Sequence, residues 1–258
     1  MDYIKSFWEN QGLRHEASHR ASWGDLFAIE LEIETIGRFI QPGQRVLDVG
    51  CANGFSTFRQ MDLHPDAIFT GIDYAEAMIA QAERAKQEKK LGNDRVTFAV
   101  HSVLDLPFPE GSFDVAYTTR VLINLPTWEE QLQGIQQCLR VVKPGGAVIL
   151  SEGFWEPLCL LNSLRLLFKL PPLAEHDFNR YLKQARLEAW LREQGLSFQV
   201  EDFSSVYYFG SRVLRELIQK EQLPFGDYNS PVNKLFYEME REYSGGGVGV
   251  QQAYVIRK

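Results

Sequence analysis

The stretch Arg45-Val-Leu-Asp-Val-Gly-Cys-Ala-Asn-Gly54 decides how the rest of the chain folds. Val46, Leu47 and Val49 form a short apolar run that ends on a glycine, the pattern of a buried strand. Small residues then stand at alternate positions, Gly50, Ala52 and Gly54. A turn of that kind brings backbone N–H groups close to a ligand where a strand becomes a helix.

Outward from this turn, strand and helix patterns alternate. Residues 1–43 read as helical: Leu26, Ile29, Ile33, Ile36 and Ile40 recur at helix spacing, and Pro42-Gly43 stops them. Further strands are predicted at Ala67–Asp73, Val96–Val100, Phe113–Thr118 and Ala147–Glu152, with helices at Ser56–Leu63, Ala75–Lys90 and Thr127–Val142. Lys143-Pro-Gly-Gly146 reads as a tight turn. Strands that are apolar on both faces belong in a parallel sheet covered by helices on both sides. The second half predicts a helix over Arg180–Gln194 closed by Gly195, a strand over Phe198–Phe209, helices over Gly210–Gln222 and Pro231–Tyr243, and a final strand over Ala253–Arg257. The expected class is therefore α/β, with right-handed crossovers and seven strands.

Composition narrows the function. The 258 residues carry a net charge of −7, from 27 Lys+Arg against 34 Asp+Glu, whereas nucleic-acid binders carry a basic footprint. The densest basic run, Lys86 to Lys90, reads as a solvated helix end. Cys51, Cys138 and Cys159 are odd in number and have no metal spacing, so neither a disulfide framework nor a zinc site is expected. MDYIKSFWENQG has no apolar core of a secretory signal, and a cytoplasmic setting is expected. The apolar stretch from Phe154 to Leu173 is broken by Glu156, Asn162, Arg165, Lys169 and prolines. No membrane span is expected, although this stretch is suited to face a lipid or an apolar substrate.

Asp73, at the end of the second predicted strand, follows Asp48 by 25 positions (73 − 48). A carboxylate there can accept both ribose hydroxyls of an adenosine cofactor. The run Val46-Leu-Asp-Val-Gly-Cys-Ala-Asn-Gly54 resembles the first motif of Rossmann-like (class I) S-adenosylmethionine-dependent methyltransferases. Gly71-Ile-Asp73 with Tyr74 and Met78, then Asp105–Asp114, then Leu139–Gly146 resemble later elements of that family in the same order. The resemblance covers residues 45–152 and implies S-adenosyl-L-methionine as cofactor, with no metal. A nicotinamide enzyme would want Gly-x-Gly-x-x-Gly, and here Thr57 stands in place of a closing glycine.

The resemblance also implies roles. Gly50, Cys51, Ala52 and Gly54 would border the methionine and ribose, and Asp48 would orient the loop or reach the amino group through water. Asp73 would hold the ribose, with Tyr74 against the adenine and Met78 nearby, and Ser102, Val103 and Leu104 would edge the adenine. Arg120 and Val121 would sit near the methionyl end. Two positions depart from the family pattern: Ala52 for the usual glycine, and Ser102 for the acid that often receives the adenine amino group.

The whole chain is expected to be one Rossmann-like domain: N-terminal helices (1–43), a cofactor-binding core (44–152), and lid insertions with C-terminal strands (153–258) forming a helical lid. Trp23 is a candidate for cation–π contact with the sulfonium, or a packed helix residue. Leu158–Leu170 is an apolar lid segment, buried against the core or lining an acceptor pocket. His176, in Glu175-His-Asp-Phe-Asn-Arg-Tyr181, is the first choice for a catalytic base, ahead of His101; Asn124 would position an acceptor group or cap a turn. The expected acceptor is a small molecule, a sugar or secondary-metabolite hydroxyl. The alternatives are a lipophilic ring such as a quinone precursor, and a non-catalytic cofactor-binding scaffold.

Overall fold

β1 (Arg45–Val49) lies in the middle of a seven-stranded sheet, and every residue in it after Arg45 is buried. It pairs in parallel with β2 (Ile68–Asp73) on one side and β4 (Phe113–Thr119) on the other. The computed structural model describes residues 3–218 and 228–258. β3 (Val96–Val100) extends the sheet beyond β2, and β5 (Val142–Gly153) extends it beyond β4. β7 (Gln251–Arg257) runs antiparallel to β5, and β6 (Ser197–Glu201) antiparallel to β7, giving the order β3-β2-β1-β4-β5-β7-β6. The strand order reverses between β1 and β4, so the crevice of a doubly wound sheet opens at their carboxyl ends.

Successive strand residues feed opposite faces. Val46, Val115, Tyr117 and Ile149 pack with α2 (Leu26–Gly37), α3 (Phe55–Leu63) and α4 (Glu76–Glu88). Leu47, Val49, Ala116 and Val148 pack with α5 (Trp128–Val141) and α7 (Gln184–Glu193). Helix α1 (Tyr3–His15) buries only Gly12, where a side chain would stand 3.0 Å from the Met78 backbone nitrogen. Glu9 on α1 accepts the Glu76 and Ala77 N–H groups at 2.8 and 2.7 Å, capping α4. No helix among the described residues is long and apolar enough to cross a membrane.

The N-terminal 43 residues are not one helix pattern. α1 and α2 are separated by a turn over His19–Ala21, and Asn53 holds that connection by donating to the Glu16 and Ser18 carbonyls at 2.6 and 2.8 Å. The expected Lys143–Gly146 turn is instead a bulge inside β5: Phe113 faces Val142, and two residues later Val115 faces Ala147. The predicted strand Phe198–Phe209 is a strand only over Ser197–Glu201, because pairing with β7 ends at Glu201 opposite Ala253. Beyond it, Ser204 Oγ donates to the Gln251 carbonyl and α8 (Ser205–Phe209) begins, burying Phe203, Tyr207 and Tyr208 at helical spacing. Gly210–Leu214 winds as a π-helix into α9 (Arg215–Ile218); the remainder of the predicted helix, residues 219–222, lies outside the described residues. α7 starts later than expected because Leu182 forms a parallel bridge with Phe154 and Glu156 caps Gln184 and Ala185. α6 (Trp155–Leu167) and α10 (Pro231–Glu242) complete the C-terminal half.

Glu152, near the end of β5, fixes the loop that follows β4. Its carboxylate accepts the N–H groups of Val121, Leu122 and Ile123 at 3.1, 3.1 and 3.3 Å, and the Thr118 hydroxyl at 2.7 Å. Replacing it with alanine would leave buried donors unmatched, each costing about 1–3 kcal/mol. Glu152→Ala is therefore expected to lower stability by about 3 kcal/mol or more, read as a shift in the denaturant midpoint; an unchanged midpoint would show that this loop is held otherwise.

Candidate functional site

Two cavities meet above the carboxyl ends of β1 and β4. The first, of about 320 Å³, runs from the turn after β1 to the loop after β3. Asp48, Gly50, Cys51, Ala52, Asp73, Tyr74, Ser102, Val103, Leu104, Arg120 and Val121 all border it. Gly50 has φ +78°, and a Cβ there would stand 2.1 Å from Val121 Cγ2, so only glycine lets the two loops close. Ala52 takes the left-handed conformation (φ +48°) with its methyl present, and its N–H is held by Asp73 Oδ2 at 3.0 Å.

Three expected residues, Gly54, Met78 and Trp23, are not on this wall. Gly54 (φ +79°) caps α3 and faces Phe58, Phe98 and Ala82, so its smallness serves packing. Met78 is fully buried against Ala75 and Ala21, beneath Trp8. Trp23 belongs to the second cavity, where the Arg120 guanidinium lies 5.0 Å from its ring centroid. The sequence did not single out Ile4 and Trp8 of α1, which roof the first cavity; an isolated aromatic on a weakly amphipathic helix carries no distinguishing signal.

The site is rich in buried acid. Asp73 Oδ1 accepts the Ala75 N–H at 2.9 Å, and burial raises the group to about 6 despite its backbone donors. Asp48 accepts from Thr57 Oγ1 at 2.6 Å and has the Tyr117 hydroxyl beside it; burial raises it to about 7. Both values lie above those of a free carboxylate, so ionisation opposes folding. The contribution of each to stability is present at low pH and declines as pH rises from about 4 towards the folded values. A cationic ligand would reverse that balance. Arg120 (φ +57°) forms an ion pair with Glu32, which is fully buried and also accepts from Ser151 Oγ at 2.7 Å and from Gln251. On the other side, Ser102 Oγ accepts the Leu104 N–H at 3.2 Å.

The second cavity, of about 700 Å³, is walled by Phe7, Trp8, Trp23, Phe178, Tyr181 and Tyr208, with Leu158 from the apolar lid segment and Leu173 just after it. It shares Trp8, Ser22, Arg120 and Asn124 with the first, which makes these four the junction. His176 borders it, with its ring centroid 4.5 Å from that of Phe178 and 5.9 Å from that of Phe7. His101 borders the first cavity instead. Asn124 donates to the Arg120 carbonyl at 2.6 Å, holding the junction loop rather than capping the next helix.

Comparison with known proteins agrees with this geometry. The sequence model of a family described as Methyltransferase domain matches residues 46–146. The ubiquinone biosynthesis O-methyltransferase of Pseudomonas aeruginosa (strain LESB58) is 32% identical over 170 residues, which is 64% of this chain and 69% of that protein. Among solved structures, the [4+2]-cyclase SpnF superposes with a TM-score of 0.58 at 23% identity, covering 90% of this chain and 81% of the other. The geranyl diphosphate C-methyltransferase of Streptomyces coelicolor A3(2), solved with S-adenosyl-L-homocysteine, superposes with a TM-score of 0.56 at 17% identity, covering 88% and 78%. These last two likenesses concern the fold. With the sheet order, the glycine turn and the curated relatives in agreement, the chain belongs to the Rossmann-like, class I S-adenosylmethionine-dependent methyltransferase family.

Proposed function

We propose that the chain transfers the methyl group of S-adenosylmethionine to a hydroxyl on a small aromatic or otherwise apolar ring. The observation that carries this reading is an aromatic-walled cavity meeting the first cavity at Trp8, Ser22, Arg120 and Asn124. The ring faces of Phe7, Trp8, Trp23 and Phe178 suit a flat apolar ring, and polar groups on the same walls, such as Asn124 and Asn179, can orient it. The relatives named for ubiquinone biosynthesis favour the same ring-type acceptor over a sugar. The net charge of −7 supports a small molecule over a nucleic acid.

The first cavity fits the cofactor. Gly50 leaves room beside the backbone, Asp73 retains lone pairs for a ribose, and Asp48 borders the cavity as a carboxylate able to attract a charged amine. S-adenosylmethionine supplies a methyl already activated on a sulfonium. The chain's part is then to hold the acceptor in line and exclude water, which supplies much of the rate. Trp8 and Ile4 cover the first cavity, and the Arg120–Glu32 pair backs the junction. In this reading His176, which borders the second cavity beyond the junction, takes the proton of the acceptor hydroxyl through a bridging water.

Incubation with S-adenosylmethionine and either 4-methylcatechol or methyl glucoside tests the acceptor class. Methylation of the catechol alone is expected; methylation of the glucoside alone would overturn the reading. His176→Ala should lower kcat about a hundredfold with cofactor affinity retained.

Asp73→Ala should weaken S-adenosylmethionine binding by at least about tenfold in calorimetric titration, through loss of charged hydrogen bonds. Binding of the wild-type protein should tighten between about pH 5.5 and 7.5, as Asp73 and Asp48 ionise through about 6 and about 7. S-adenosylhomocysteine carries the same amine and ribose, so its affinity should rise over the same range. Affinities of both ligands that stay constant with pH would remove these carboxylates from the account.

A further inference from the structure

Two tyrosines in the second cavity have hydroxyls with no use inside the protein. Tyr181 and Tyr208 both line it, and Tyr208 is only 7% exposed. Neither hydroxyl has a hydrogen-bond partner among the described residues, and neither is sealed from the cavity. Other tyrosines find carboxylates: Tyr207 donates to Asp25 at 2.6 Å, Tyr237 to Glu34 at 2.8 Å and Tyr254 to Glu188 at 2.9 Å. Both hydroxyls open on the same cavity with no protein partner, so both are free to donate to a bound ligand.

Both rings are held from rigid elements. Tyr181 lies against Gly153 at the end of β5, where a Cβ would stand 3.0 Å from the ring, and its backbone N–H donates to Glu175 Oε1 at 2.5 Å. Tyr208 sits in α8, with the Arg212 guanidinium 5.1 Å from its ring centroid. Arg212 is buried, lies 4.4 Å from the Tyr228 ring centroid, and is held by Asp25 at 2.6 Å and Ser211 Oγ at 2.7 Å. A cation behind a phenol draws electrons from the ring and strengthens its O–H as a donor. Burial raises the Tyr181 hydroxyl to about 12 and raises Tyr208 as well, so both stay protonated and act as donors, not bases.

We propose that Tyr181 and Tyr208, with Arg212 behind Tyr208, form a subsite for a carboxylate carried on the acceptor ring. None of the three borders the first cavity, so the subsite grips the end of the acceptor away from the transferred methyl. A carboxylate presents two oxygens to two phenol donors, and charged hydrogen bonds of this kind are the stronger class. The subsite thereby sets which ring hydroxyl reaches the junction at Arg120 and Asn124. This inference rests on the aromatic-acceptor reading above.

The test compares 3,4-dihydroxybenzoate with 4-methylcatechol, which replaces the carboxylate by a methyl of similar size. Each is titrated into the protein saturated with S-adenosylhomocysteine. The wild-type protein should bind the carboxylate ring at least about tenfold more tightly. In the double variant Tyr181→Phe, Tyr208→Phe that preference should vanish, with the affinities for 4-methylcatechol and S-adenosylhomocysteine unchanged. Melting temperatures of the phenylalanine variants should not fall, because the hydroxyls removed have no protein partner. Equal binding of the two rings by the wild-type protein, or a preference that survives in the double variant, overturns the subsite and leaves the aromatic-acceptor reading standing. A lowered melting temperature in the variants also overturns it, since the hydroxyls would then be structural. Failure of both rings to bind overturns the aromatic-acceptor reading and the subsite with it.

Discussion

The site depends on one steric constraint, the absence of a side chain at Gly50. Val121 occupies the place where a Cβ would go, at 2.1 Å, and the backbone there is left-handed. The loop after β1 and the loop after β4 therefore close on each other only with glycine at this position. Everything that meets at the junction of the cavities follows from that closure. Glu152 holds the β4 loop by its N–H groups, Arg120 rises from that loop, and Glu32 on α2 receives Arg120.

This closure gathers negative charge. Asp48, Asp73, Glu32 and Glu152 all lie at or behind the carboxyl ends of the central strands, and burial raises each of them. Such a concentration weakens the free protein as pH rises, and it is arranged around the place where a cationic cofactor would sit. Strain and unmatched charge of this kind are characteristic of sites that trade stability for binding. Ala52 belongs to the same account. Its left-handed backbone costs about 1–2 kcal/mol relative to an ordinary conformation, and its contact with Asp73 is part of the loop that borders the cavity.

The second cavity has a different origin. Its walls come from α1, the turn before α2, the β4 loop, α6, the segment after it, α8 and Tyr228. Asp25 links two of these, accepting from Tyr207 and from Arg212, which are far from it in sequence. The aromatic character of the cavity is thus a property of how distant segments are brought together over the sheet.

The central strands, the glycine turn and the acid at Asp73 were legible in the sequence because each is a local pattern: an apolar run, a small-residue turn, a charge at a strand end. The same reasoning misplaced Phe198–Phe209, because apolar residues there suit either period and only the register with β7 ends the strand at Glu201. It left Trp23 between a cofactor contact and helix packing, and the ring lies against Arg120 on the wall of the second cavity. It did not reach Trp8, Tyr181, Tyr208 or Arg212, none of which carries a motif. Spacing along the chain determined the sheet and the loops that border the first cavity. Tertiary structure alone decided which aromatic and charged side chains face the second, because those contacts join residues with no local relation to one another.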